Sequence, residues 1–456
     1  MLAKPTTRIR RAPKRAPCPH CGRLARRKRI LHRRLHTLVY HAVAWLDVTY
    51  AEYQARCGCC KYFRTWPLDV PQKADYDATV RAAVLDRLLR DRLNVEQTKA
   101  AMLRDFLLPL SDGFIYDCLR WQLTRIDLAQ HRHMVLQRFS GTLCVDELHL
   151  GNYTLLLATD PLADSPVGFA LVGANDAEHM RRFLANLACW GLRPQVVVSD
   201  GSNLYPELLA EIWPHAQHQL CVFHLLRDVL DKILAAVRRL RQAQQRRGRA
   251  GRPRRRGRPS KRQAARRRQG GPTAKEKAAF IWKHRFLIVK KAAKLTPAEK
   301  EDLQRMFVYL PELRPLWSFS QDIYRLLNDS KTLRVARWRH TWLRYDPRYK
   351  GVAELMSALD VLAGTKLTKA MAFLGQAVGS QVRTNNHAER MNRKLRFAEK
   401  VRYRWRKRKW VVRWVVLLLD VCWSEAAAGP AGKEGAKRAG ERSPPQPGGR
   451  SKKVAA

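Results

Sequence analysis

One stretch of the chain, residues 142–230, constrains the fold more than any other. Its apolar, strand-like segments are 143–145, 153–158, 167–172, 196–199 and 219–223, and a helical pattern, 176–190, lies between the third and the fourth. Short β-branched runs bounded by Gly, Asn, Asp and Pro are typical of strands. This order predicts an α/β core, a mixed five-stranded sheet with flanking helices.

Two of these segments lead directly into an aspartate. Asp146 follows the first segment, and Asp200 follows the fourth. Carboxylates at the ends of neighbouring strands can converge on one point, which suits a divalent cation. Glu147 is a rival to Asp146, but alternation along a strand places the two side chains on opposite faces, so only one of them should reach the metal.

Four motifs, in this order and spacing, resemble prokaryotic insertion-sequence transposases of the DDE type. They are Cys144-Val145-Asp146-Glu147, Val198-Ser199-Asp200-Gly201, Cys221-Val222-Phe223-His224 and Thr384-Asn385-Asn386-His387-Ala388-Glu389-Arg390. The Cys-x-x-His box is also a feature of Mutator-like transposases and their bacterial relatives, which often carry an N-terminal zinc ribbon. The resemblance covers residues 18–423. It implies a ribonuclease H-like core that is interrupted by an all-helical insertion.

The resemblance also implies an enzyme that cuts DNA at the ends of its insertion sequence and transfers the 3′ ends to target DNA. Asp146, Asp200 and Glu389 would be both the catalytic residues and the Mg²⁺ (or Mn²⁺) ligands. Two such ions, about 3.5–4 Å apart, can generate a nucleophile and stabilise charge at phosphorus. Cys221 and His224 are expected to support the core beneath the site. A homodimer or higher oligomer on DNA is implied by the resemblance alone.

Composition agrees with a nucleic-acid partner. The formal net charge is +49, which predicts a polyanion, with DNA ahead of a membrane surface. No apolar run approaches about 18 residues, so a membrane-spanning helix is not expected. The N-terminus lacks the apolar segment of a secretory signal. The ten cysteines are therefore expected in a reducing compartment, the bacterial cytoplasm with its nucleoid, where metal binding is favoured over disulfides.

Two cysteine clusters near the N-terminus predict a Zn²⁺ site. Cys18 and Cys21 form one Cys-x-x-Cys pair, and Cys57 and Cys60 form the second. Paired knuckles suit tetrahedral zinc, and the alternation between residues 39 and 53 indicates a strand pair between them. We therefore expect a zinc ribbon, in which Cys59 could replace Cys57 or Cys60. The alternative is a set of reduced structural cysteines.

Several basic residues are candidates for DNA contact. Residues 95–106 and 111–123 predict a helix-turn-helix with Ser111 as N-cap, and Tyr116, Arg120 and Gln122 as groove-facing side chains. The alternative is a helical linker packed on the core. A second group of candidates lies in Gly-Arg-Pro-containing sequence and consists of Arg252, Arg256 and Arg258. This sequence resembles an AT-hook; the simpler alternative is that it binds phosphates without selectivity. The remaining candidates are Arg390, Arg393, Lys394 and Arg396.

These patterns divide the chain into eight segments. They are 1–16, a basic disordered tail; 17–70, the zinc ribbon; 75–135, the helical DNA-binding region; 140–237, the first part of the core; 238–272, a basic linker; 273–378, the helical insertion; 379–424, the second part of the core; and 425–456, a disordered tail. The aromatic residues of the insertion either form its core or contact DNA. A non-catalytic zinc-ribbon and helix-turn-helix regulator is the alternative to the transposase.

Overall fold

The computed structural model describes two compact units. The described residues are 6–39, 42–55, 57–58, 60–67, 70, 75–202, 205–250, 272–377, 381–401 and 407–427, without the side chains of 247–250 and 427. The first unit comprises residues 1–131, 150–152 and 393–456, and the second comprises 132–149 and 153–392. The finer division into eight segments stays a prediction.

The first unit opens with a five-stranded sheet. Its strands are β1 (Thr6–Arg11), β2 (Arg15–Pro17), β3 (Leu24–Val39), β4 (Ala42–Gln54) and β5 (Tyr62–Arg64). Their order is β1-β4-β3-β2, with β5 also paired to β4. β3 and β4 are antiparallel, whereas β1 runs parallel to β4.

Two expectations for this region are wrong. Residues 6–11 are a strand and not part of a disordered tail, because Thr6, Thr7 and Ile9 are β-branched and Ile9 packs against the cluster of Leu35. The strand pair expected between residues 39 and 53 is longer, since β3 alone runs through 24–39. Its dense Arg, Lys and His residues obscure the strand pattern in the sequence.

Three helices follow the sheet, namely α1 (Ala78–Leu89), α2 (Val95–Phe106) and α3 (Asp112–Leu123). The last two have the predicted bounds. Asn94 begins α2 with a capping box, and Ser111 accepts a 3.2 Å hydrogen bond from the Phe114 amide at the start of α3. Gln122 donates a 2.9 Å hydrogen bond to Asp420 of the same unit, so its amide is already engaged and does not face a groove as expected.

The second unit is built on the mixed sheet that the sequence predicts. After α4 (Leu128–Arg138), the strands are β6 (Thr142–Leu150), β7 (Tyr153–Asp160), β8 (Ser165–Val172), β9 (Val196–Ser199) and β10 (Gln217–Leu220). They lie in the order β10-β9-β6-β7-β8. β9 is parallel to both β6 and β10, whereas β7 and β8 are antiparallel.

Helices cover both faces of this sheet. They include α5 (Ala177–Cys189), α6 (Tyr205–Ile212) and α7 (Val222–Ala250). On one face, Val145 and Val197 belong to the same apolar cluster as Phe183 and Leu208. Gly168 allows α5 to approach β8, because a Cβ there would lie 2.9 Å from Leu187 Cδ2.

Two element boundaries differ from expectation. β6 does not end at Asp146, because apolar Leu148 continues the strand alternation. The fifth strand ends at Leu220, and Val222 already begins α7, so His224 lies in the first turn of a helix. α7 then continues through residue 250, which makes the first part of the expected linker helical. Its Arg, Gln and Ala residues are good helix formers, and the first proline after them is Pro253.

An all-helical block separates the two aspartates from Glu389. It contains α8 (Ala274–His284), α9 (Pro297–Tyr309), α10 (Leu313–Asp329), α11 (Leu333–Tyr345), α12 (Pro347–Lys350), α13 (Ala353–Val361) and α14 (Thr365–Ala370), with 3-10 turns at Arg285–Val289, Ala292–Lys294 and Ala372–Gly375. Its core joins Ile233 of α7 to Phe319 and Leu355. Gln219 of β10 anchors the block by donating to the Ala370 carbonyl at 2.9 Å.

Two helices complete the described chain, α15 (Asn386–Val401) and α16 (Arg408–Ala427). The second one continues slightly into the segment expected to be a disordered tail from residue 425. Among the described residues, no helix combines the length and apolarity that crossing a membrane requires.

Candidate active site

Asp146 and Asp200 lie side by side on one face of the mixed sheet. In the parallel pairing of β6 with β9, Cys144 is opposite Val198. Asp146 lies two residues further along β6, and Asp200 lies two residues beyond Val198, directly after β9 ends, so both side chains are expected on the same face at the same level. Both residues are half-buried. The register therefore places two carboxylates together, although Asp146 lies within a strand.

Glu147 turns to the opposite face, as alternation predicts. Its Oε1 accepts a 2.6 Å hydrogen bond from the Tyr205 hydroxyl, and Tyr205 belongs to the apolar cluster under α5 and α6. Burial raises the pKa of Glu147, and the Tyr205 hydrogen bond partly offsets this rise. Glu147 thus faces away from the pair formed by Asp146 and Asp200, although its charge still interacts with theirs.

The helix that carries Glu389 covers the face of the two aspartates. Ala388 packs against Cys144 and Val198, the residues that precede Asp146 and Asp200 on that face. Asn385 Nδ2 donates to the Val145 carbonyl at 2.9 Å, and Asn392 Nδ2 donates to Asp146 Oδ2 at 2.8 Å.

Glu389 lies between these two asparagines on the helix. Positions 385, 389 and 392 are separated by four and three residues, so they share one helical face. Both asparagines bond to β6, which directs Glu389 toward the same strand. The shared face of Glu389 and Asn392 is visible in the sequence, but the partners of Asn385 and Asn392 are not.

One carboxylate oxygen of Glu389 has no hydrogen-bond donor among the described residues. Glu389 Oε1 is buried and accepts no hydrogen bond from the described residues. His224 Nε2 lies 3.4 Å away, a distance compatible with an ion pair, but the contact lacks hydrogen-bond geometry. A buried carboxylate oxygen without a donor is costly, and a cation would satisfy it.

The Cys-x-x-His box joins the start of α7 to the segment before Glu389. Cys221 Sγ accepts the Asn385 amide at 3.2 Å, and the Val222 amide donates to the Arg383 carbonyl at 3.0 Å. Burial raises the pKa of Cys221, and the backbone amides of Asn385, His224 and Phe223 partly offset this rise. The box thus lies next to Glu389, and the supporting role of Cys221 and His224 stays a prediction.

The surroundings of Asp146 disfavour the ionised form of its carboxyl group. Burial, followed by the charges of Glu147 and Asp200, raises the pKa of Asp146 to about 7, while the Asn392 hydrogen bond lowers it. A divalent cation would reverse this penalty, and a set of three carboxylates is the chemistry that Mg²⁺ prefers. The ligand oxygens of the three acids do not all lie within 4.8 Å of one another. Ligands that are divided between two ions can be more widely spaced than ligands of a single ion.

Comparison with known proteins identifies the family. The profile of the ISL3 group of DDE transposases, described as a transposase, matches residues 143–406, more than half of the chain. The chain belongs to this transposase family. Among solved structures it is similar to the Drosophila P element transposase strand transfer complex, with 11% identity over 79% of this chain and 94% of that chain and a TM-score of 0.34. No curated protein matches the sequence. The resemblance drawn from the motifs is confirmed.

The N-terminal cysteines of this transposase partly converge. Among the described residues, Cys18, Cys57 and Cys60 form the group whose potential ligand atoms all lie within 4.8 Å of one another. Cys18 Sγ is 3.6 Å from Cys57 Sγ and 3.7 Å from Cys60 Sγ. Cys21 is exposed and is not in this group, and Cys59 lies outside the described residues.

The backbone around these thiols is suited to tight knuckles. Gly22 and Gly58 have φ values of +73° and +75°, which side chains disfavour. Desolvation, followed by the neighbouring thiols, raises the pKa of Cys60 to about 11. The Cys60 thiol is therefore protonated without a metal, and zinc binding there would release a proton.

The basic candidates are dispersed along the transposase. Arg120 is exposed and lies 3.7 Å from Asp117, and Arg390 is exposed and lies 3.6 Å from Asp164. The other cations of α15, which are Arg393, Lys394 and Arg396, are also exposed. The linker residues Arg252, Arg256 and Arg258 lie outside the described residues.

Proposed function

We propose that this transposase cuts phosphodiester bonds at the ends of its insertion sequence and transfers the 3′ ends to target DNA, with Asp146, Asp200 and Glu389 as its catalytic residues. The proposal rests mainly on the register of β6 and β9, which aligns the two aspartates. The hydrogen bond from Asn392 to Asp146 supports the assignment of Glu389, because it fixes the helix of Glu389 beside them.

The same three carboxylates would hold two Mg²⁺ or Mn²⁺ ions. When bound, such ions activate a nucleophile and stabilise the charge that develops at phosphorus. Asp146 would be shared between them, and Asp200 and Glu389 would each hold one. Asn392 keeps one Asp146 oxygen in place, and His224 limits the positions available to Glu389. The half-buried site restricts water, which strengthens the interactions of these charges.

Other parts of the chain would bind Zn²⁺ and DNA. Cys18, Cys57 and Cys60 would provide three thiolates of a zinc ribbon, with Cys21 or Cys59 as the fourth. The helix-turn-helix of α2 and α3 would bind the ends of the element, and the cations of α15 would contact phosphates. The active form would be a homodimer or higher oligomer on DNA, in the cytoplasm and on the nucleoid of a bacterium.

Cleavage of the element's own terminal DNA tests the proposal. Asp146→Asn, Asp200→Asn and Glu389→Gln should each reduce Mg²⁺- or Mn²⁺-dependent cleavage more than about 100-fold, since even changes to outer-shell partners of a metal cost about 10–100-fold. Glu207→Gln, which changes an exposed acid of α6, is the matched control and should retain activity.

DNA affinity distinguishes the proposal from its alternative. The three acid variants should bind terminal DNA at least as tightly as the wild type does, because they remove negative charge and no DNA-binding cation. Wild-type protein that binds the DNA tightly but never cuts it with Mg²⁺ or Mn²⁺ would indicate a non-catalytic regulator. Full cleavage by all three variants would refute the catalytic assignment.

A further inference from the structure

One face of α11 exposes large aromatic side chains to solvent. Trp338 is 65% exposed, Trp342 is 46% exposed and Tyr345 is 69% exposed. The spacing of four and three residues places the three rings along one side of the helix. Ala336 and Leu343, on the other side, are buried in the helical block. The aromatic side therefore adds nothing to the described core of this unit.

The rings border a shallow cleft that continues past the end of the helix. Its lining consists of Trp338, Thr341, Trp342, Tyr345, Asp346, Pro347 and Arg348, and its volume is about 650 Å³. The Arg348 guanidinium lies over the Trp342 ring at 5.5 Å. Contiguous exposed aromatic surface of this kind commonly marks a binding site.

The charge around the aromatic face indicates the kind of partner. Residues 331–350 contain seven cations, which are Lys331, Arg334, Arg337, Arg339, Arg344, Arg348 and Lys350, and one acid, Asp346. The acid is buried and paired with Arg348 at 2.7 Å. Two acids from outside the segment also pair with its cations, Asp360 with Arg344 and Asp322 with Arg348, which still leaves an excess of cations. A second copy of this face would be repelled by the same charges. An anionic partner with flat apolar groups matches both properties.

We propose that this face of α11 binds unpaired nucleotides of DNA by stacking their bases on Trp338, Trp342 and Tyr345. Ring planes can stack on the faces of unpaired bases, whereas a duplex covers those faces by its own base stacking. The surrounding arginines hold the phosphates and can add cation–π contacts. The inference rests on the proposed function only for the choice of DNA as the polymer.

The test compares single-stranded with duplex DNA on the full-length protein. Binding of labelled 20-nucleotide oligo(dT) and of a duplex of equal length is measured by fluorescence anisotropy with EDTA present. The double change Trp338→Ala and Trp342→Ala should weaken single-strand binding by about tenfold for each ring lost. Duplex binding should change by less than about twofold, because phosphates dominate it.

Conservative and matched variants separate stacking from a structural effect. The double change Trp338→Phe and Trp342→Phe should restore most single-strand affinity. Phe286→Ala removes an aromatic ring that is 56% exposed elsewhere in the helical block. This change should leave the ratio of single-strand affinity to duplex affinity unchanged. The salt dependence should persist in the Trp variants, whereas Arg334→Gln should reduce the slope by about 0.7, since only a cation displaces counterions.

Three results would overturn the inference. One is an unchanged single-strand to duplex affinity ratio in the double Ala variant. Another is loss of an oligomer in sedimentation velocity with that ratio unchanged, which would identify a contact between copies. The third is a double Ala variant that loses binding to anionic phosphatidylserine vesicles but keeps the wild-type ratio of single-strand to duplex affinity, which would identify a membrane surface as the partner. The ratio is measured in EDTA and requires no cleavage, so failure of the proposed catalysis and failure of this inference are distinguishable.

Discussion

Replacing Asp146 with asparagine should stabilise the metal-free protein at pH 8. Asp146 is half-buried, and its desolvation together with the neighbouring charges of Glu147 and Asp200 opposes its ionisation, so its pKa rises from 3.8 to about 7. The folded state therefore holds a proton on Asp146 more tightly than the unfolded state does. This contribution to stability is fully present below pH 4 and is lost as the pH rises through 7.

The size of the pKa shift of Asp146 sets the size of the stabilisation expected for Asp146→Asn. A difference of about 3 pKa units corresponds to at most about 4 kcal/mol of the free energy of unfolding at pH 8. The asparagine that replaces Asp146 carries no charge, and its carbonyl can still accept the hydrogen bond from Asn392. Differential scanning calorimetry in EDTA should therefore show a higher Tm for Asp146→Asn at pH 8, by up to about 4 °C, and little difference at pH 4.

Asp160 of the same sheet provides a control of opposite sign. Its carboxylate accepts four hydrogen bonds, from the Ser140 amide and hydroxyl and from the amides of Leu162 and Ala163, at 2.7–3.0 Å. Asp160→Asn should therefore lower the Tm at pH 8, because an amide cannot accept this whole set. A lower Tm for Asp146→Asn as well would refute the reasoning, since it would show that Asp146 is stabilised as an anion.

Three further changes test other parts of the structure. Cys60→Ser should reduce bound zinc, measured by atomic absorption after dialysis, whereas Cys189→Ser should not; equal zinc in both would contradict the cluster. Tyr205→Phe removes the donor to buried Glu147 and should lower the free energy of unfolding at pH 8 by about 1–3 kcal/mol in urea titrations; an unchanged midpoint would contradict this role. Asn385→Ala removes a hydrogen bond between the residue that precedes α15 and β6, and it should reduce end cleavage about 10–100-fold at unchanged DNA affinity. Equal loss of affinity would indicate a folding defect instead.

The sequence predicts those parts of the fold that depend on regular patterns. The alternating apolar runs around Asp146 and Asp200 give the mixed sheet, and Ser111 gives the start of α3. These predictions succeed because hydrophobic periodicity and helix caps are local signals. The orientation of Glu147 away from Asp146 follows from the same local rule.

The other features depend on contacts between distant residues. Residues 6–11 are too basic to be recognised as a strand, and pairing with β4 together with the packing of Ile9 orders them. The bonds of Asn392 to Asp146 and of Asn385 to Cys221 cross more than 160 positions of the chain. The exposure of Trp338 likewise depends on how α11 packs, since tryptophan at helical spacing is equally typical of a core.

The number of Mn²⁺ ions bound by the transposase on its terminal DNA tests the three-acid site most directly. We predict that electron paramagnetic resonance titration finds two magnetically coupled ions per chain in the wild type, and at most one tightly bound ion after Glu389→Gln. Two coupled ions in Glu389→Gln would show that Glu389 is not a ligand and would contradict the proposed catalytic site.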